Sequence, residues 1–86
     1  MKIHSMYTVY VIKSQRRNYI YVGMTNDFQR RFKQHREGKS KTTRQYRPLN
    51  VILTEKFSDR KEARAREKYF KSGVGREFIR KEFINK

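Results

Sequence analysis

Tyr7-Thr8-Val9-Tyr10-Val11-Ile12, then Ser14-Gln15-Arg16-Arg17-Asn18, then Tyr19-Ile20-Tyr21-Val22-Gly23 is the stretch that decides the fold. β-Branched and aromatic residues flank a short polar segment, the pattern of two strands joined as an antiparallel hairpin. Gly23 is expected to end the second strand and to leave backbone accessible there. An even-length turn would place Tyr10 and Tyr21 on one sheet face and an odd-length turn would separate them. The sequence does not fix that register.

Beyond the hairpin, Asn26 is a helix cap and Asp27 suits the positive first turn of a helix running from about Asp27 to Glu37. Gly38 is its left-handed terminator. Residues 38–48 form a polar, basic connection of a length that small domains keep for function or mobility. Val51-Ile52-Leu53, continuing toward Phe57, is predicted as a third and more buried strand. Asp59 followed by Glu62 resembles a capping box that opens a helix through about Lys71, closed by Ser72-Gly73. Gly75 is expected to cap a last helix in which Phe78, Ile79 and Phe83 share a face, with Val74 stapled against Ile79. The order β-β-α-β-α-α defines a small α+β domain, a three-stranded antiparallel sheet flanked by helices.

The 86 residues suit a single domain spanning 1–86. A chain this short buries only about 60% of its unfolded surface, so its core is thin. Lys and Arg number 23 against 8 Asp and Glu, a net charge of +15, which points to a polyanionic partner. Nucleic acid is that partner, since its phosphates release counterions when Lys and Arg replace them. A membrane surface is a weaker alternative: no long apolar run or lipidation signal is present, and the Phe78–Phe83 helix fits an interfacial helix only loosely. Met1-Lys2-Ile3-His4-Ser5 lacks the apolar stretch of a secretory signal, and the chain has no cysteine. Both fit a cytoplasmic protein. With 14% aromatic and 35% hydrophobic residues the chain is too apolar for a disordered basic tail.

Three residues stand on unexpected faces. On the first helix Phe28 and Phe32 lie about 40° apart and mark the buried stripe. His35 falls within about 20° of Phe28, and Arg31 about 60° from it on the far side of Phe32. The plain alternative is a snorkelling arginine and a satisfied, half-buried histidine. On the second long helix Glu67 projects between Ala63 and Phe70, an expensive place for an isolated carboxylate. It either pairs with Lys71 at i+4 or Arg64 at i−3, or faces a polar pocket where it holds a hard divalent cation. Cross-strand packing alone would account for Tyr10 and Tyr21.

Thr8-Val9-Tyr10, ten residues, then Tyr21-Val22-Gly23 resembles the paired motif that names the GIY-YIG nuclease family. Arg31 stands ten residues after Tyr21, where that family places its helix arginine, and His35 follows one turn later. Ala65-Arg66-Glu67-Lys68 looks like its metal-binding glutamate segment. Lys71-Ser72-Gly73-Val74-Gly75-Arg76-Glu77 is similar to the family's small stand-alone, excinuclease-like subgroup. Thr8 replaces the first glycine of the motif and Val22 the isoleucine of the second, both backbone or packing positions.

The resemblance implies a metal-dependent endonuclease that hydrolyses phosphodiester bonds in DNA, structure-directed rather than sequence-specific, in DNA repair or recombination. RNA stays open as a substrate. It implies catalytic roles for Tyr10, Tyr21, Arg31, His35 and Glu67, with one divalent metal, Mg2+ or Mn2+, held by Glu67. One of the two tyrosines would deprotonate the attacking water. An ordinary tyrosine titrates near pH 10, about three units above neutrality, so such a base needs a nearby cation, a part that suits Arg31. His35 would relay the proton or bind a phosphate oxygen. Arg16, Arg17, Lys39, Lys41, Arg44 and Arg47 would hold the flanking backbone. The runner-up is a non-catalytic nucleic-acid-binding module on the same scaffold, which would gain nothing from an inward carboxylate.

Overall fold

The computed structural model describes residues 6–85, so the expectation drawn from Met1 to Ser5 lies outside the described residues. β1 (Tyr7–Ser14) is the central strand of a three-stranded antiparallel sheet in the order β2-β1-β3. β2 (Ile20–Thr25) and β3 (Leu49–Phe57) form its edges. Central placement explains the burial of Val9, Tyr10, Val11 and Ile12, all covered on both faces. β3 is the reverse of the expectation. It is mostly exposed or half-buried because an edge strand is covered on fewer sides.

The hairpin register pairs Tyr10 with Gly23, Ile12 with Tyr21 and Lys13 with Ile20. Residues 14–19 lie between the last pair, an even number, so Tyr10 and Tyr21 share a face. The hairpin loop is anchored by Ser14, whose buried hydroxyl accepts from the backbone N–H groups of Arg16 and Arg17 at 3.2 and 3.0 Å.

α1 (Phe28–Arg36) covers the Tyr10 face, where Tyr10, Ile12 and Leu49 pack with Phe28, Phe32 and Tyr46. Its cap is Asp27 rather than Asn26: the Asp27 carboxylate accepts from the Arg30 N–H, so the aspartate meets both the orphan donor and the helix dipole. Gly38 has φ of 80°, the left-handed terminator that the sequence implies. The 38–48 connection is not featureless, since a 3-10 turn spans Arg44–Tyr46.

α2 (Arg60–Lys71) and α3 (Gly73–Ile79) cover the opposite face, where Val9, Val11, Ile20 and Val22 meet Ala63, Phe70 and Ile79. Asp59 caps α2 by accepting from Lys61 N–H at 3.0 Å. The start of α3 differs from expectation. Ser72 is the cap, accepting from the Gly75 N–H at 3.1 Å, while Gly75 is buried inside the helix. A Cβ there would lie 1.9 Å from the Tyr69 carbonyl oxygen, so glycine is present for space. Val74 is 71% exposed and makes no staple, because the tight α2–α3 turn points it outward. Phe78 stacks on Phe70 and meets Phe83 edge-on, but both remain partly exposed, and a π-helical turn (Arg80–Ile84) follows.

Candidate active site

The Tyr10 side chain is set by what faces it across the hairpin. Its ring lies over Gly23, where an added Cβ would come within 2.5 Å of both the ring and the hydroxyl oxygen. Gly23 thus sits within β2 rather than ending it, and its backbone is covered by the ring. Tyr21 lies diagonally across the pair, with ring centroids 6.3 Å apart, and is half-buried where Tyr10 is buried.

His35 joins this pair from α1. Its ring is fully buried and both nitrogens are engaged: Nε2 with the Tyr10 hydroxyl at 2.8 Å and Nδ1 with the Thr43 hydroxyl at 2.8 Å. Thr43, buried in the 38–48 connection, ties that loop to α1, and nothing in its sequence context marked it. Burial, with the charge of Arg31 adding to it, holds the His35 imidazole down at about 4, so it is neutral at pH 7. Burial first, then Tyr21, pushes the Tyr10 phenol up to about 12, and Arg31 offsets only part of that rise. The neutral imidazole can therefore accept from the Tyr10 O–H while its Nδ1–H donates to Thr43, a fully satisfied buried chain.

Arg31 is half-buried, and its Nη1 donates to Gln34 Oε1 at 3.0 Å. It lines a hollow of about 210 Å³ with Thr25, Asn26 and Arg30. Tyr21 lines a different hollow, a cleft of about 320 Å³ that also takes in Tyr19, Thr42, Lys71, Arg76 and Arg80. Arg76 and Arg80 were not singled out from the sequence. They become visible only when the turn between α2 and α3 brings them beside β2.

Glu67 is buried between Ala63 and Phe70, and the two alternatives for its pairing are both realised. Oε1 meets Arg64 Nη1 at 3.0 Å and Oε2 meets Lys71 Nζ at 3.0 Å. Its charge adds slightly to the forces that oppose ionisation of Tyr10. Among the described residues no cluster of three or more His, Cys, Asp or Glu could enclose a metal. A lone carboxylate fits Mg2+ or Mn2+, which keep water ligands, and does not fit a structural zinc site. The cationic partners are each about half exposed, so they can leave the carboxylate. Arg16 and Arg17 on the hairpin loop, and Lys39, Lys41, Arg44 and Arg47 on the 38–48 connection, are all exposed.

A three-stranded antiparallel sheet carrying a tyrosine pair on one face, with an arginine, a histidine and a buried glutamate on flanking helices, is the frame of a nuclease-type domain. The family described as GIY-YIG catalytic domain matches residues 6–80, and the chain belongs to it. It is similar to UPF0213 protein YazA of Bacillus subtilis, 43% identical over 63 residues that cover 72% of this chain and 63% of that one. It also resembles UPF0213 protein RBAM_000440 of Bacillus velezensis, 46% identical over 63% of this chain and 56% of the relative. The chain therefore spans less than two thirds of the length of these two relatives. The solution NMR structure of UPF0213 protein BH0048 from Bacillus halodurans aligns with a TM-score of 0.54 at 31% identity, covering 86% of this chain and 81% of that one. Among the described residues no helix is long and apolar enough to cross a membrane.

Proposed function

We propose that the chain is a metal-dependent endonuclease that hydrolyses phosphodiester bonds in DNA, selecting substrates by structure rather than sequence. Membership of a nuclease family supports the class of reaction. The observation that carries the rest is the position of Tyr21. It shares a face with Tyr10, is the more exposed of the two, and lines a cationic cleft together with the Lys71 that pairs with Glu67.

Tyr21 is the group that accepts the proton of the attacking water. Tyr10 is poorly suited to that part, because its hydroxyl is buried against His35 and its phenol is pushed up to about 12. Tyr10 and His35 instead fix the floor of the site, and His35 has no open ring edge to offer a phosphate. Arg31 supplies positive charge beside Tyr10 and favours the extra negative charge of the transition state. The Tyr21 phenol first gives its proton to solvent; the water oxygen then attacks phosphorus as its proton passes to the Tyr21 oxygen, and the bond from phosphorus to the 3′ oxygen breaks, the leaving oxygen taking a proton from solvent. Glu67 would hold the single divalent cation, Mg2+ or Mn2+, which when bound neutralises charge on the phosphate and on the leaving oxygen. Arg76 and Arg80 grip the strand in the cleft, and Arg17, Lys39 and Lys41 hold its flanks.

The two ion pairs of Glu67 favour a second reading, in which the carboxylate only fastens α2 and the domain binds nucleic acid without cutting it. One assay separates the two. The pure protein is incubated with flapped, branched and single-stranded DNA and with RNA, with and without Mg2+ or Mn2+. Metal-dependent nicking of the branched substrates is expected. Binding without cleavage under every condition would leave the non-catalytic module.

A further inference from the structure

A second cationic depression lies at the hairpin end of the sheet, apart from the Tyr21 cleft. It measures about 480 Å³ and is walled by Gln15, Arg16, Arg36, Arg44, Arg47 and Leu49, with no carboxylate in its lining. Among the described residues none of these four arginines forms an ion pair. Two of them are held in position. Arg47 Nε donates to the Arg44 carbonyl at 3.1 Å, and its guanidinium lies over Gly38, where a Cβ would come within 2.7 Å of it. The Arg36 guanidinium sits 5.5 Å from the Phe32 ring centroid. Four clustered like charges repel one another in the free protein, and a bound polyanion relieves that cost.

The depression and the Tyr21 cleft are divided by an aromatic stack. Tyr19, which lines the cleft, lies flat on Tyr46 with centroids 3.6 Å apart and planes within 6°. Tyr46 belongs to the turn that carries Arg44, and Arg17 lies 5.6 Å from its ring centroid. A single strand occupying both hollows would have to climb over the stack, whereas the two backbones of a duplex can straddle it.

We propose that the four-arginine depression holds backbone phosphates of the strand that is not cut, so that the domain engages both strands of a duplex. The inference rests on the Tyr21 cleft being the cutting site. It is tested by metal-free binding across a salt series, using a short DNA duplex and its isolated single strand. The variants are Arg36→Gln with Arg44→Gln, and a charge-matched control, Lys56→Gln with Lys81→Gln, each checked for an unchanged melting profile. The arginine variant should flatten the duplex log–log slope by up to about 1.8, two contacts at about 0.9 each, and leave the single-strand slope unchanged. The control should leave both slopes near wild type. An equal loss on the single strand, or a control that matches the arginine variant, overturns the proposal. A protein that never cuts DNA but shows the duplex-only loss would remove the nuclease reading and keep two-strand binding. A protein that cuts DNA with equal losses on both probes would do the opposite.

Discussion

The two faces of β1 bury polar chemistry in opposite ways. On the α1 face, Tyr10, His35 and Thr43 form a neutral chain in which every partner is itself buried. On the α2 face the surroundings are apolar, and Glu67, the one buried charge there among the described residues, is balanced by Arg64 and Lys71 reaching in from the surface. The first arrangement has little freedom, because moving any member strands another without water to replace it. The second can be rearranged at low cost, because half-exposed cations exchange one anion for another. A rigid tyrosine floor and a carboxylate with removable partners are what a site needs if it must hold a phosphate and admit a metal.

The contrast predicts where substitutions hurt, and Gly23→Ala should hurt stability most. The new methyl group would occupy the place of the Tyr10 ring, and overpacking of that kind costs about 1–3 kcal/mol, with loss of the Tyr10–His35 contact added. Urea melts would measure it, and a wild-type midpoint would mean that Tyr10 does not lie over Gly23.

Tyr10→Phe comes next, through loss of the hydroxyl that meets His35. A buried ring nitrogen left without a partner costs about 1–3 kcal/mol. Tyr21→Phe should cost about 1 kcal/mol or less, since its hydroxyl lies at the cleft wall, yet slow cleavage about 10²–10⁴-fold as expected for a lost general base. Melts paired with single-turnover rates for the two variants would show the division. Equal effects on both readouts would erase it.

Acidification probes the same chain from the histidine side. An unfolded histidine titrates near 6.5, whereas His35 in the folded protein resists protonation down to about 4. The unfolded state therefore takes up the proton first. The stabilisation is fully present above pH 6.5 and is lost as pH falls toward 4, at up to about 1.4 kcal/mol per pH unit. Urea midpoints between pH 7.5 and about 4 should decline in the wild type, and that part of the decline should be missing in His35→Gln.

Much of this contrast could be read from residue order, and the part that could not has physical causes. Helical periodicity put His35 and Glu67 on inner faces because burial follows from angle alone. It could not say what they would meet there. Thr43 lies past the end of α1, outside any helical periodicity, and its hydroxyl reaches the ring only through the turn after Gly38. The shared face of Tyr10 and Tyr21 depended on hairpin register, which the sequence left open and residues 14–19 decide. The edge position of β3 depended on strand order, and short apolar runs carry no record of that. Asp27 displaced Asn26 as the α1 cap by a single residue, the ordinary uncertainty where two capping side chains are adjacent. Arg36, Arg76 and Arg80 looked like any other surface charge until folding gathered them into clefts.

Glu67→Gln is the mildest change to the fold and the most direct test of the central claim. Because its cationic partners lie half in solvent, losing the charge should cost about 1 kcal/mol or less of stability. Single-turnover cleavage of a branched DNA in Mg2+ or Mn2+ should nevertheless collapse, while DNA binding by the same sample stays equal to wild type or tightens as a negative charge is removed. Cleavage at the wild-type rate with a correctly folded Gln variant would contradict the assignment of Glu67 as the metal-holding residue and, with it, the metal-dependent mechanism.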